Sequence, residues 1–313
     1  MQIGIIGTGM VGSAIAFSLA TSGVAEKLIL IDNHKERASA EAMDISHATP
    51  FSFGSKVTAG DYKDLKTADV VIITAGANQK PGETRLDLLN KNVTIFKEII
   101  PEVVKNAPDA ILLIATNPVD IMTEVALKLS GLPKNKVFGT GTVLDSSRFR
   151  NSLGHQLGIS PTSIHANVIG EHGDSEVLLW YGAVAGTTRI EDIAKQYGTQ
   201  LTPEIKAKVD DDVRNAAYAI IEGKGSTYFG IASATQHIIN AIAGDSHMIL
   251  TISAHHENSI GGYHNICYAM PSVIGKNGVE KTLIPVMSNS ERESLIKSAA
   301  TLSEYTQKAL DLL

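Results

Sequence analysis

The stretch IGIIGTGMVG at residues 3–12 decides the fold class of this chain. Its first four residues form a short apolar run, and the segment that follows, 14–20, places apolar residues at helical spacing. A strand, a tight turn and a helix are therefore predicted in this order. Because the first turn of a helix presents unpaired N–H groups and the positive end of the helix dipole, this turn is predicted to bind a pyrophosphate.

The glycines of the turn follow the G-x-G-x-x-G pattern of dinucleotide-binding folds. Gly7 is expected to permit the tight turn, Gly9 to let the backbone approach the pyrophosphate, and Gly12 to let helix and strand pack closely. Cofactor contacts are accordingly assigned to the whole turn, with Met10 and Val11 included. Glycine turns are common, so the pattern needs a second observation before it indicates a cofactor.

That second observation is Asp32, which follows an apolar strand at 28–31 and lies about 20 residues after the last glycine. A carboxylate in this place accepts hydrogen bonds from the adenine-ribose hydroxyls and repels a 2′-phosphate. NAD is therefore predicted in preference to NADP. The alternatives are that Asp32 only ends a strand, or that the nearby Lys35 and Arg37 change the cofactor choice.

Length and composition are those of an ordinary globular enzyme. At 313 residues the chain exceeds the usual size of a single hydrophobic core, which predicts two closely packed domains. Apolar residues make up 43% of the chain and charged residues 19%, as in average globular proteins. The net charge of -6, without a long basic run, argues against nucleic acid or an anionic membrane as a partner.

The cysteine content and the start of the chain bear on its location. Cys267 is the only cysteine, so no intrachain disulfide forms and a reducing compartment is expected. Met1 leads directly into the first predicted strand, without the charged and apolar regions of a signal peptide. A cytoplasmic location is therefore predicted, with neither secretion nor membrane insertion. No metal site is predicted.

The first half of the chain alternates buried strands with helices. Beyond the strands already described, strands are predicted at 69–74 and 110–115, and helices at 35–47, 85–105 and 119–129. This alternation predicts a Rossmann fold, a doubly wound parallel sheet with right-handed connections. The NAD-binding domain is placed at residues 1–140.

From about Gly139 onward the pattern becomes a mixture of strands and helices. Strands are predicted at 163–169, 176–184, 248–254 and 265–270, and helices at 203–222, 226–243 and 290–312. This mixed α+β region, residues 141–313, is predicted to be the catalytic and substrate domain. No flexible linker stands at the boundary, so a hinge within one compact body is expected.

A histidine lies in a polar turn, Gly170-Glu171-His172-Gly173-Asp174. Because imidazole titrates near neutral pH, such a residue can both give and take a proton. With a carboxylate partner and cations to hold an anionic substrate, it suits proton-coupled hydride transfer. The alternative is a loop histidine that is hydrogen-bonded locally and has no chemical role.

Five ordered motifs resemble those of the lactate and malate dehydrogenase superfamily, and the resemblance runs from Gly7 to the terminal helix. The motifs are GTGMVG at 7–12, TAGANQKPGETRLDLL at 74–89, TNPVD at 116–120, GTVLDSSRFR at 141–150 and GEHGDSE at 170–176. The chain lacks the N-terminal arm of vertebrate members and resembles the bacterial L-lactate dehydrogenases. The resemblance implies reversible, NADH-dependent reduction of pyruvate to L-lactate.

The resemblance also implies a catalytic set around His172, which would protonate the carbonyl oxygen of a 2-oxo acid as hydride arrives. Asp145 would orient the imidazole and stabilise its cation. Arg148 would anchor the substrate carboxylate through two parallel hydrogen bonds. Arg85, at the end of the loop at 77–84, would reach the reacting carbonyl when that loop closes and excludes water. In isolation, either arginine is more typical of a solvated surface cation.

Further contacts follow from the same resemblance. Asn117 would position the nicotinamide or the substrate carbonyl, and it also suits the N-cap of the helix that follows. Thr227, in the segment GSTYFGI, matches a substrate-pocket threonine. Ile231 would form an apolar wall for the nicotinamide ring or belong to the core. Gly76 and Ala77 complete the assigned cofactor contacts.

Gln79 separates the enzymatic alternatives. Malate-selective relatives carry arginine at this position to bind a second carboxylate, and burying that carboxylate without a cation costs several kcal/mol. Neutral Gln79 therefore favours pyruvate over oxaloacetate, although Gln79 and Thr227 only limit the size of bulkier 2-oxo acids. Malate dehydrogenase or a broader 2-hydroxy acid dehydrogenase is the alternative enzyme. A nucleotide-sensing module is the non-enzymatic alternative, and it predicts loss of the catalytic set around His172.

Assembly and regulation are implied by the resemblance alone. A homotetramer built from two-fold interfaces is expected. Arg150 and His165 match an arginine and a histidine that line a subunit interface in allosteric bacterial members. Two copies of each would bind the two phosphates of fructose 1,6-bisphosphate, which makes this sugar a candidate effector. The alternative is a structural ion pair for Arg150 and a buried strand contact for His165.

Overall fold

The chain folds around one large twisted sheet, as seen in a computed structural model that describes residues 1–77 and 85–313, apart from the side chain of Arg85. The strands of the described residues are β1 (Gln2–Ile6), β2 (Lys27–Ile31), β3 (Lys56–Ala59), β4 (Val70–Ile73), β5 (Ile111–Ile114), β6 (Val137–Gly139), β7 (Ile164–His165), β8 (Val168–Ile169), β9 (Val177–Leu178), β10 (Val184–Ala185), β11 (Thr188–Arg189), β12 (Met248–His256), β13 (Ile266–Gly275) and β14 (Gly278–Thr282).

Helices connect the strands and cover both faces of the sheet. They are α1 (Met10–Ser22), α2 (Lys35–Ala48), α3 (Arg85–Asn106), α4 (Val119–Ser130), α5 (Val143–Leu157), α6 (Ile190–Gln196), α7 (Pro203–Lys224), α8 (Phe229–Ala243) and α9 (Asn289–Leu310). Within residues 1–77 and 85–313, none of these helices combines the length and the apolar character that a membrane span requires.

The first six strands of the large sheet are parallel and lie in the order β3-β2-β1-β4-β5-β6. This is the order of a dinucleotide-binding Rossmann sheet, so the predicted doubly wound fold is confirmed. The strand order reverses between β1 and β4, where Ile6 lies opposite Ile73. Ligands of such sheets bind in the crevice beyond the carboxyl ends of the two strands at this reversal. The crevice is therefore bordered by the residues that follow Ile6 and Ile73.

The strands are buried on both faces, as a parallel sheet between two helical layers requires. Alternate residues of β1 point to opposite sides: Ile6 packs in a cluster with α3, α4 and α9, whereas Ile3 and Ile5 pack in a cluster with α1 and α8. These strands therefore need continuous apolar runs. Such runs were the segments of the chain best predicted from the sequence.

The sheet continues beyond residue 140. Strands β12, β13 and β14 extend it antiparallel, with Ser253 of β12 opposite Gly139 of β6. Two of these strands were predicted, but as part of the second domain, and β14 was not predicted. The predicted segments 141–313 and 1–140 therefore share one sheet.

Two of the predicted strands are wrong in length. The segment 163–169 forms two short strands, β7 and β8, that join different sheets: β7 pairs with β10, and β8 pairs with β9. The segment 176–184 is likewise divided between β9 and the start of β10. Each segment is divided because its two parts pair with strands of different sheets. No local sequence pattern marks where the division falls.

Candidate active site

The glycine turn lies at the end of β1, beside the end of β4. Gly7 has a φ of +97°, and a side chain there would press on the backbone of Ala75. A Cβ on Gly9, by contrast, would meet no protein atom within 4 Å. Helix α1 begins next to this open space without a side-chain cap, so its first N–H groups face the space that a pyrophosphate needs.

Asp32 follows β2, lies beside the glycine turn and is held firmly in place. Its Oδ2 accepts hydrogen bonds from the N–H of Thr8 at 2.7 Å and the hydroxyl of Thr8 at 3.0 Å, and its Oδ1 accepts from the N–H of His34 at 2.9 Å. Partial burial raises the pKa of Asp32, but these hydrogen bonds together lower it by more. The pKa of Asp32 therefore lies below its ordinary value. The carboxylate is therefore ionised and oriented for ribose hydroxyls. Lys35 pairs with Asp61 at 3.0 Å.

The far side of the crevice is built on Asn92, a residue that the sequence analysis did not identify. Fully buried in α3, Asn92 accepts a hydrogen bond from the N–H of Ala77 at 2.7 Å and donates one to the carbonyl of Asn117 at 2.7 Å. It thereby ties the segment after β4, which contains Gly76, to the segment after β5. The sequence did contain a signal for Asn92, because it is a polar residue on the apolar face of a predicted helix.

Asn117 and its neighbours complete this edge. The peptide bond between Asn117 and Pro118 is cis, and Pro118, not Asn117, occupies the N-cap of α4 without a side-chain cap. The capping role that the sequence allowed for Asn117 is therefore wrong, because the helix begins one residue later than such a cap requires. Gln79 lies outside the described residues, and Arg85 is described only as the first residue of α3.

The residues predicted for acid–base chemistry lie in the second half of the chain. His172 Nδ1 lies 2.6 Å from Asp145 Oδ2, and Arg148 Nη1 donates to Asp145 Oδ1 at 2.7 Å. Asp145 and Arg148 are three residues apart on α5 and therefore share a helix face. The Asp145 side chain is 2% exposed and that of Arg148 16% exposed. The structure thus brings these three predicted residues together around one buried carboxylate.

The charges of this group are mutually supporting. The negative charge of Asp145 raises the pKa of His172 to about 9, against the opposing effect of burial. Burial raises the pKa of Asp145, but the charges and hydrogen bonds of His172 and Arg148 together lower it by more. The pKa of Asp145 therefore lies below its ordinary value. At neutral pH the imidazole is consequently a cation with a proton to donate.

Two further acidic residues near His172 were not predicted. Asp120, from the TNPVD motif, accepts the backbone N–H of His172 at 2.7 Å and a short hydrogen bond from Ser253, and burial raises its pKa to about 6. Glu176 is also buried; burial and the charge of Asp145 raise its pKa to about 8. Asp120 fixes the backbone that carries the histidine, and this support depends on chain segments that are distant in sequence.

The remaining predicted pocket residues, Thr227 and Ile231, lie around the start of α8. Thr227 is half-buried just before α8, and Ile231, in the first turn of α8, packs against the buried cluster that contains Val143. Ile231 therefore contributes to the core. Neither residue is hydrogen-bonded to His172 in the described part of the chain.

The two residues predicted for regulation are Arg150, which lies near Arg148, and His165. Arg150 lines a cavity of about 290 Å³ together with Arg148, and its buried Nε has no hydrogen-bond partner in the described part of the chain. Burial lowers the pKa of Arg150. His165 on β7 is exposed, so the buried strand contact considered for it is wrong in the isolated chain.

Comparison with known proteins places this geometry in a family. The NAD binding domain of the lactate/malate dehydrogenase family matches residues 1–139, and its alpha/beta C-terminal domain matches residues 142–313. The chain belongs to the lactate/malate dehydrogenase family. Its cofactor is therefore NAD, and the open space at Gly9, the uncapped start of α1 and the ionised Asp32 fit that cofactor.

Relatives within the lactate/malate dehydrogenase family resemble the chain over nearly its full length. L-lactate dehydrogenase of Allorhizobium ampelinum is 47% identical over 97% of this chain and 98% of that protein. L-lactate dehydrogenase of Thermus aquaticus is 47% identical over 96% of this chain and 97% of that protein. The structure of the minor L-lactate dehydrogenase from Enterococcus mundtii covers 98% of both chains, with a TM-score of 0.94 and 37% identity.

Proposed function

We propose that this protein is an L-lactate dehydrogenase that reduces pyruvate reversibly with NADH. The observation that carries the proposal is the buried Asp145, which contacts His172 on one oxygen and Arg148 on the other. This arrangement provides a proton donor beside a cation for the substrate carboxylate. The names of the relatives described above support lactate as the product.

His172 is the proposed acid and base. Its Nδ1 faces Asp145, so Nε2 is the ring atom that can give a proton to the substrate carbonyl oxygen and take it back in the reverse reaction. NADH, when bound, supplies the hydride to the carbonyl carbon. The contact between Asp120 and the N–H of His172 holds the imidazole in place during this transfer.

Arg148 is the proposed anchor of the substrate carboxylate. One of its terminal nitrogens is bound to Asp145, and a guanidinium has further N–H groups with which to grip a second carboxylate. By resemblance, Arg85 polarises the carbonyl, Asn117 positions the reacting groups, and Thr227 limits the pocket. Gly76, Ala77 and Ile231, together with the glycine turn and Asp32, would contact NAD.

A steady-state comparison tests this proposal. Purified protein should reduce pyruvate with NADH at a higher kcat/KM than oxaloacetate or longer 2-oxo acids, and NADPH should be the poorer cofactor because Asp32 repels its 2′-phosphate. The product should be L-lactate when assayed with a stereospecific enzyme. A higher kcat/KM for oxaloacetate would instead favour malate dehydrogenase.

Gln79→Arg is expected to raise the oxaloacetate-to-pyruvate ratio of kcat/KM by about 10²-fold or more. A guanidinium at this position pairs with the second carboxylate of oxaloacetate, and it lacks a partner when the substrate ends in a methyl group. Kinetics with both substrates measure the ratio, and Gln79→Leu controls for loss of the amide without added charge. An unchanged ratio in Gln79→Arg would remove this position from substrate choice.

Fructose 1,6-bisphosphate is expected to lower the KM for pyruvate at mildly acidic pH. Arg150 shares a cavity with Arg148, so an anion bound at Arg150 lies near the proposed substrate anchor. His165 is the other residue proposed to contact the sugar phosphates. KM values with and without the sugar, in wild type and Arg150→Gln, test this; equal KM values in wild type would exclude the effector.

The proposal extends to assembly, location and domain organisation. A homotetramer is supported by apolar side chains that the single chain leaves exposed, among them Phe17, Met43, Phe51, Phe53, Ile221 and Phe229. Light scattering after size exclusion would measure its mass.

A cytoplasmic location rests on the single cysteine and on the resemblance. The domain boundary near residue 140 is supported by family matches that end at 139 and resume at 142.

A further inference from the structure

A buried group of three side chains lies where α4 packs on β12 and β13. It comprises Glu124 of α4, His255 of β12 and Cys267 of β13, whose ligand atoms all lie within 4.8 Å of one another. His255 and Cys267 face each other as a cross-strand pair, and Cys267 is fully buried. Their side chains therefore converge on one point between the helix and the sheet.

Glu124 Oε2 is the common acceptor in this group. His255 Nδ1 lies 2.7 Å from it, and the Cys267 thiol donates to it at 3.1 Å. Two protons thus lie between three atoms that all bind metals. A divalent cation placed among them would replace both protons: the thiol proton leaves to solvent, and the imidazole proton moves to Nε2, which frees Nδ1 to coordinate.

We propose that Glu124, His255 and Cys267 form a site for one Zn²⁺ or a similarly soft divalent cation. Thiolate, imidazole and carboxylate are the ligand types of zinc, at metal distances of about 2.0–2.3 Å. Tetrahedral ligands at these distances lie about 3.3–3.8 Å apart. The Glu124 oxygen, now 2.7 Å from His255 Nδ1 and 3.1 Å from Cys267 Sγ, therefore needs to separate from each of them by several tenths of an ångström. The thiolate favours Zn²⁺ or Cd²⁺ over Mg²⁺ or Ca²⁺.

The proposed cation site is separate from the catalytic group. Asp120, one turn earlier on α4, accepts hydrogen bonds from His172 and Ser253, whereas the Glu124 side chain accepts hydrogen bonds from His255 and Cys267 in the described part of the chain. The His255 side chain is 11% exposed and provides a route from solvent. Three protein ligands leave a fourth position for water, as in open zinc sites.

Titration of the full-length protein with Cd²⁺ tests the proposal directly. Cys267 is the only thiol in the chain, so ultraviolet absorption from thiolate-to-cadmium charge transfer can arise only there. The absorption should saturate at one Cd²⁺ per chain and be absent in Cys267→Ser. Affinity should fall by at least about 10-fold in Glu124→Gln and in His255→Gln, since loss of a ligand exceeds the usual loss of a supporting contact.

A surface group supplies the matched control. Asp245, His247 and Glu280 are the other group of potential ligands found in the described residues, and they are partly or fully exposed. His247→Asn should leave the cadmium absorption unchanged. Zn²⁺ should raise the Tm of wild type and His247→Asn, but not of Cys267→Ser, which keeps the thiol's size. Absence of the absorption in wild type, or equal Cd²⁺ affinity in Glu124→Gln, His255→Gln and wild type, would overturn the proposal.

Discussion

Replacement of His172 by asparagine is expected to lower kcat for pyruvate reduction by about 10²–10⁴-fold, the usual contribution of a general acid. Asparagine keeps a polar side chain of similar reach but has no proton to transfer at neutral pH. NADH binding should be nearly unchanged, because the glycine turn and Asp32 belong to the first half of the chain, where Thr8 holds Asp32 in place.

Stopped-flow kinetics and NADH fluorescence titration separate these two effects. His247→Asn is the matched control, since it makes the same replacement at a histidine that pairs with Glu280 on the surface. This control should retain wild-type kcat and NADH affinity. If His172→Asn weakened NADH binding as much as it lowered kcat, His172 would have a structural role in place of the proposed chemical one.

Asp145→Asn is expected to lower kcat/KM for pyruvate on the order of 10²–10³-fold, as for breaking a buried ion pair. The change removes the charge that holds the pKa of His172 at about 9, and it also removes the ionic partner of Arg148. The imidazole of the variant should therefore titrate at lower pH. Both the proton donor and the carboxylate anchor depend on this single carboxylate.

The pH profile distinguishes this explanation from a simple loss of fold. If protonated His172 is the acid in reduction, as proposed, wild-type kcat/KM for pyruvate should fall as pH rises through about 9, and that for lactate should fall as pH drops below it. In Asp145→Asn the pyruvate limb should move to lower pH. Asp192→Asn, which breaks an exposed pair with Lys195, should leave the profile unchanged. An unshifted limb in Asp145→Asn would contradict the assigned cause.

The parallel half of the fold was predictable because its signals are local. The apolar runs of β1, β2, β4 and β5 are buried on both faces, and their lengths leave little choice except strand. β3 and β6 were missed because each is short, and these segments become strands through pairing with their neighbours and not through a sequence pattern of their own. The helix α5 was recognised as a motif but not as a helix, although it carries both Asp145 and Arg148.

The sequence motifs identified the residues proposed for catalysis, but not the residues that support them. His172, Asp145 and Arg148 stand in motifs that mark them in the sequence. Asn92 and Asp120 act through contacts with segments 15 to 52 residues away, and only the fold brings these segments together. Sequence spacing cannot show such contacts, because they depend on which helix faces which strand end.

The pairing of β12 with β6 limits how this molecule can be divided. A fragment ending at residue 140 would leave β6 as an open edge strand with unpaired N–H and carbonyl groups, a surface that promotes aggregation. Exchange of cofactor-binding halves between relatives would also separate Gly139 from its pairing partner Ser253 in β12. A chimaera that takes the three strands β12, β13 and β14 from the same relative as residues 1–140 would keep the pairing of β6 with β12.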